Sequence, residues 1–335
     1  MQHLILRRRL IALVGMLVIG LLTPSLAVAG VQACPANGGV FLDGFETLPS
    51  GADLSLPGPF AITTRSGVTA RAGRSIPWTA SYPTSPGSPR PLLLFAPGFQ
   101  IPSSAYADLM SHVASWGFVA VRADPVAGLV NASHPAMVLD LRAVLDNLLA
   151  PGALPIAVDA GRIALAGHSL GGKLAVMMAG ADARVGAVYA FDPVNNAGPS
   201  TDLPNILPQG IALQAIPFGF AGELLDGGGG GTGGQACAPL ALNYQTFFNA
   251  ATSAPAAYEW TLHGAAHMDF LTNREQCGFL CSFCRVGTLS TAVTHRFMRS
   301  STVAFLRTHL LDEPGLCASL NGADVPLPVL VRQRP

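Results

Sequence analysis

Ile163-Ala164-Leu165-Ala166-Gly167-His168-Ser169-Leu170-Gly171-Gly172 joins a short apolar run to a segment able to continue as a helix. Ile163 to Ala166 reads as a buried strand and Leu170 to Ala179 as the helix after it. Between them, Gly167-His168-Ser169-Leu170-Gly171 has the G-x-S-x-G spacing of a nucleophile elbow. Such a turn holds its serine in a strained backbone conformation, with the hydroxyl exposed above the sheet. Its glycines are needed because a side chain at either position would collide with the neighbouring strand or helix. The strand before and the helix after make the signal specific.

Outward from this turn, strands and helices alternate. Ile76 to Tyr82 alternates as an early strand, and Leu92 to Phe95 is a continuous apolar run suited to a strand buried on both faces. Ala105 to Trp116 has helical spacing and ends at Gly117; Phe118 to Ala123 is the next strand. Met137 to Leu149 is amphipathic, with Asp140, Arg142 and Asp146 expected to face solvent. Strands are also expected at Val185 to Phe191, Ala212 to Phe220 and Tyr258 to Leu262, and a closing helix at Ala292 to Leu311. The alternation predicts an α/β fold, a mainly parallel central sheet with helices on both faces. Residues 61–315 form this domain; 30–60 are an irregular, loosely ordered lead-in, 316–335 are an unassigned tail, and 227–234 are a flexible glycine loop.

The chain has 335 residues, 50% hydrophobic and 11% charged, with zero formal net charge and no basic patch, which argues against nucleic acid as a partner. Arg7 to Arg9, the apolar run Leu10 to Leu22, and Ala27-Val28-Ala29 have the layout of a secretory signal over residues 1–29. The apolar run is short for a span of about 20 residues, so a secreted or periplasmic protein with no stable membrane span is expected. Cleavage would remove three arginines and no acid, leaving 16 basic and 19 acidic residues. Six cysteines, Cys34, Cys237, Cys277, Cys281, Cys284 and Cys317, then read as disulfide partners. Cys34 is expected to join Cys317, and the other four to staple the loop carrying His267. A metal at the Cys277 cluster is the competing reading, disfavoured because no second cysteine pair completes four ligands.

A serine hydroxyl needs a base to take its proton, and the base needs an acid to fix its tautomer. In this arrangement the chain order is serine, acid, histidine. His267 lies just past the last expected strand; His263, four residues earlier, is its rival. The acid is Asp192, ending the strand after the elbow, or Glu223 or Asp226 after the following one, and spacing alone does not choose. Two main-chain N–H groups should hold the oxyanion: Leu170, directly after the serine, and Phe99, after the turn at Gly98. No cofactor or metal is needed. A non-catalytic binding module on this fold would require one of these positions to be lost.

Four groups of residues resemble the chlorophyllase family of α/β-hydrolases. They are Leu93 to Phe99 with Tyr106 to Leu109 and Ala114 to Val119; Gly167 to Lys173; Phe191-Asp192-Pro193-Val194; and Cys237-Ala238-Pro239, Asn243, Phe247-Phe248-Asn249 and Gly264 to Asp269. Cys281 to Phe305 also fits. The resemblance implies the α/β-hydrolase fold, with Asp192 as the triad acid. It also implies a serine carboxylic-ester hydrolase acting on esters with an apolar moiety, small or polymeric. Related esterases include platelet-activating-factor acetylhydrolases and polyester hydrolases, so a lipase or polyester hydrolase of broad specificity is the alternative. Pro97 replaces the family's histidine before Gly98, and Leu170 stands where plant members often carry arginine.

Overall fold

The computed structural model describes residues 53–334, except 86, 88, 127–131, 229–233, 314–315 and 321–328. The signal at 1–29 and Cys34 therefore lie outside the described residues. Nine strands form one sheet: β1 (Ile62–Arg71), β2 (Arg74–Pro83), β3 (Arg90–Ala96), β4 (Val119–Ala123), β5 (Val158–His168), β6 (Val185–Phe191), β7 (Phe218–Glu223), β8 (Ala257–Leu262) and β9 (Val329–Arg334). The helices are α1 (Ala107–Ser115), α2 (His134–Leu149), α3 (Leu170–Ala181), α4 (Gln209–Ala212), α5 (Leu225–Gly228), α6 (Tyr244–Ala250), α7 (Thr291–Leu310) and α8 (Cys317–Leu320).

The strand order is β1-β2-β4-β3-β5-β6-β7-β8-β9. Pairing is parallel from β4 through β8 and antiparallel at both ends. The apolar run of β3 explains the layering. Leu92 and Leu94 pack with α2 and α3 residues, whereas Leu93 and Phe95 pack with α1 and α7 residues. Successive side chains of a strand point to opposite faces, so an uninterrupted apolar strand is covered on both. The chain moves from β3 outward to β4, then returns to place β5 on the other side of β3. In open α/β sheets, the crevice outside the carboxyl ends at such a reversal is where ligands bind, and Ser169 follows β5 there.

Several expectations need correction. Asp140 does not face solvent: it is fully buried and accepts from Arg71 and Arg74 of the first hairpin at 2.9 and 2.7 Å. Two long guanidinium side chains reaching over α2 offset its desolvation. The strand expected from Ala212 begins only at Phe218, because 209–212 form α4 and Pro217 has no N–H to enter the ladder. The lead-in is not loose where it is described. Leu54 is buried, and the carbonyls of Leu54 and Leu56 accept from His112 and Trp116 at 2.8 and 3.1 Å. Likewise, the tail is not separate from the sheet, since β9 pairs with β8 over Val329–Arg334.

Candidate active site

Gly167 and Gly171 allow the elbow to form. A Cβ on Gly167 would lie 2.3 Å from the Gly171 carbonyl carbon, and one on Gly171 would lie 2.0 Å from the Ala96 carbonyl oxygen. The turn between them leaves Ser169 at φ 56°, ψ −121°, a left-handed conformation that costs a non-glycine residue energy. The Ser169 amide donates to Phe191 O at 3.0 Å and its carbonyl accepts from Val194 N at 3.2 Å, locking the turn to the end of β6.

Three sequence-expected residues meet above this turn. Ser169 Oγ lies 3.0 Å from His267 Nε2, and His267 Nδ1 donates to Asp192 Oδ2 at 2.7 Å. Asp192 follows β6 at φ 41° and is fully buried, as His267 nearly is. Burial pushes the His267 imidazole down to a neutral resting state and the Asp192 carboxyl up. His267 sits on a short 3-10 turn, His267–Phe270, after β8. Asp269 fixes that turn by accepting from Ala266 N at 2.8 Å and pairing with Arg274 at 2.8 Å. His263 is exposed at the end of β8, away from this arrangement.

The other candidate acids lie close by without taking the position on His267. Asp226 Oδ2 accepts from the amides of Cys237 and Ala238 at 2.5 and 2.7 Å, so it anchors the following loop. Glu223 is fully buried and accepts from Asp226 N at 3.1 Å. Burial, with Asp192 and Asp226 nearby, pushes Glu223 up to about 9.

His168, within the elbow, has a role that spacing did not reveal. Its Nε2 donates to the His267 carbonyl at 3.0 Å, which leaves Nδ1 to accept from Tyr106 Oη at 2.7 Å. Tyr106 Oη in turn lies 3.4 Å from Gly98 N. One buried chain therefore links the loop after β3, the elbow and the histidine loop.

A cavity of about 590 Å³ opens at Ser169 and His267. Phe99, Leu170, Val194, Leu203, Leu242 and Met268 make it largely apolar, so both expected oxyanion residues line it. Its outer wall holds the disulfide Cys237–Cys284; Cys277–Cys281 closes the second. All four expected cysteines are thus paired in the region of the histidine loop, while the Cys34–Cys317 pairing falls outside the description. Among the described residues, no group of three or more His, Cys, Asp or Glu is arranged to hold a metal ion, and no helix is long and apolar enough to cross a membrane.

The sheet order and its covering helices are those of an α/β-hydrolase, and the protein is a carboxylic ester hydrolase built on that fold. It belongs to the chlorophyllase family, whose model matches residues 63–330. Chlorophyllase-1 of Arabidopsis thaliana is 30% identical over 259 residues, covering 71% of this chain and 77% of that protein. Chloroplastic chlorophyllase-1 of Citrus unshiu is 26% identical over 251 residues, 68% of this chain and 74% of its own length. A solved ferulic acid esterase from Streptomyces cinnamoneus has the same fold. Its TM-score is 0.60 at 22% identity, over 83% of this chain and 96% of that one.

Proposed function

We propose that the protein is an exported serine esterase in which Ser169, His267 and Asp192 form the catalytic triad. The hydrogen-bond series Asp192–His267–Ser169, 2.7 and then 3.0 Å long, carries the reading. Ser169 Oγ attacks the ester carbonyl as its proton passes to His267 Nε2. The oxyanion takes hydrogen bonds from the main-chain N–H groups of Leu170 and Phe99. Collapse breaks the bond to the alcohol oxygen, and that oxygen takes the proton from His267. Water then gives a proton to His267 as its oxygen adds to the acyl carbon; collapse breaks the bond to Ser169 Oγ, which takes the proton back from His267, and the acid leaves. Asp192 holds Nδ1–H and stabilises the imidazolium. No cofactor enters any step.

The apolar cavity favours an ester with a sizeable apolar part. Chlorophyll is the substrate that the relatives' names suggest; a polymeric or lipid ester is the second reading. Phe99, Phe279 and Phe283 favour the second, being 44, 75 and 45% exposed, with Phe99 and Phe283 lining the cavity. Export rests on the leader-like residues 1–29 and is compatible with two disulfides. Incubating wild type and Ser169→Ala with chlorophyll, short and long p-nitrophenyl esters and a polyester film tests both. Ser169→Ala should lose several orders of magnitude in kcat on every substrate the wild type cleaves. A fluorophosphonate should label Ser169, and labelling of a different serine would refute the assignment.

A further inference from the structure

The apolar lining of the cavity does not stop at its mouth. Phe99 and Phe283 line it and are 44 and 45% exposed. Phe279, 75% exposed, lies outside the lining and packs edge-on against Phe283, with ring centroids 4.7 Å apart. Leu240, also exposed, stands in sequence between the lining residues Pro239 and Leu242. The cavity and this outer face are therefore one continuous apolar surface. Covalent links hold the rings out. Cys277–Cys281 closes the loop that carries Phe279, and Cys237–Cys284 fixes the residue after Phe283 to the cavity wall. Gly278, at φ 57°, breaks the 3-10 run Arg274–Phe283 just before Phe279. Each ring thus lies between two cross-linked cysteines, with little backbone freedom to fold inward. An apolar patch kept exposed in this way marks contact with something apolar.

Charge narrows what that something is. No charged residue occurs from Gln276 to Cys284. Arg285, next in line, gives its guanidinium to the Leu225 carbonyl. Lys173, the chain's only lysine, is fully buried and donates to the carbonyls of Asn196 and Pro204 at 2.5 and 2.6 Å. An anionic membrane is held by basic side chains near its surface, and this stretch offers none. The face suits an uncharged surface. A protein seated on it would close the cavity mouth, whereas the substrate's own condensed phase would deliver an ester into it. The cavity, about 590 Å³ with the Cys237–Cys284 link in its outer wall, takes a chain that ends inside it. A polymer strand continuing in both directions needs a trench open at both ends.

We propose that Phe279, Phe283 and Phe99 form a docking face for droplets of a neutral lipid ester, from which one acyl chain passes into the cavity beside Ser169. The proposal rests on the serine-esterase reading of that cavity and names its substrate class. The substrates are uncharged, water-insoluble acyl esters, met at an interface rather than as single molecules.

Binding and catalysis are read separately. Partition of Ser169→Ala, which cannot consume the surface, is measured onto triolein droplets, neutral and anionic phospholipid vesicles, and polyester particles at matched surface area. The measurement is repeated with Phe279→Ser added. Partition to triolein should fall about tenfold or more, as expected for removing one phenyl ring from an apolar contact. Phe279→Trp should retain it. Phe279 lies outside the cavity lining, so Phe279→Ser in the active enzyme should leave kcat/KM for p-nitrophenyl acetate unchanged while slowing hydrolysis of emulsified triolein. Equal partition with and without Phe279→Ser would overturn the docking face. So would stronger Phe279-dependent binding to vesicles or polyester than to triolein, or a Phe279-dependent dimer in sedimentation without lipid, since each names a different occupant. Wild type that neither cleaves p-nitrophenyl acetate nor reacts with a fluorophosphonate would overturn the esterase reading instead. Partition of the inactive variant would still decide the docking face.

Discussion

The imidazole of His168 donates through Nε2 to the main-chain carbonyl of His267, 3.0 Å away. The elbow therefore grips the histidine loop through its backbone and leaves the His267 ring free to face Ser169. Tyr106 completes the grip by donating to His168 Nδ1. Tyr106→Phe should leave that nitrogen unpaired in a fully buried site and cost about 1–3 kcal/mol of stability. Thermal denaturation should show a lower Tm, and kcat should fall more than KM changes. An unaltered Tm and kcat would mean that the chain of bonds contributes nothing.

The two aspartates are separable. Asp192→Asn should lower kcat by about 10⁴-fold, because asparagine favours the wrong imidazole tautomer. Asp226→Asn should cost far less catalytically, since its carboxylate serves the amides of Cys237 and Ala238. Steady-state kinetics on one short ester suffice, and the reverse ranking would move the acid.

In the proposed mechanism, His267 must be neutral to accept a proton. Its burial lowers it below the ordinary 6.5, so the acid limb of kcat/KM should fall at a pH below that value. A limb at or above 6.5 would indicate that Asp192 holds the imidazole protonated in the free enzyme.

Glu223 should make the fold sensitive to alkali. Its folded value, about 9, lies above the ordinary 4.5. Its contribution is therefore fully present below the lower value and is lost as pH rises toward the upper one. Glu223→Gln mimics the protonated side chain and removes that dependence. The Tm of the variant minus that of wild type should grow between about pH 5 and pH 8.5. A flat difference would mean that Glu223 is ionised in the folded protein.

Cys237–Cys284 ties two segments of the cavity wall. Replacing both by serine should cost about 2–4 kcal/mol and raise KM for bulky esters more than for short ones. Peptide mapping without reduction should recover the Cys237–Cys284 and Cys277–Cys281 links; free thiols there would contradict the pairing.

The parts legible in sequence were those with strong local pattern. Gly167 and Gly171 announce the elbow because almost no other residue fits, and β3 and β6 announce themselves by their runs of apolar residues, β8 by the alternation of Tyr258, Trp260 and Leu262. β1 was illegible because Thr63 to Ser66 all face solvent, which erases alternation, and β9 because it is an edge strand of mixed residues close to prolines. Asp140 reads as a surface residue until β1 and β2 bring Arg71 and Arg74 across it, which no helical spacing encodes. The crowding of Asp192, Glu223 and Asp226 is also nonlocal, arising where β6 and β7 end side by side. Phe279 carries no motif; only the fold brings it beside the cavity mouth.

Lys173 is the only lysine in the chain, and it is fully buried. The folded enzyme therefore presents no lysine amine to the reactive acyl donors used to assay it. Aminolysis, which scatters acyl groups over the surface of lysine-rich proteins, has no lysine side chain to attack from here. An acyl mass increment on the intact protein would consequently report the α-amino group or oxygen chemistry, free of any lysine background. Transient acyl-enzyme should stand out in a rapid-quench mass spectrum as a single stoichiometric adduct.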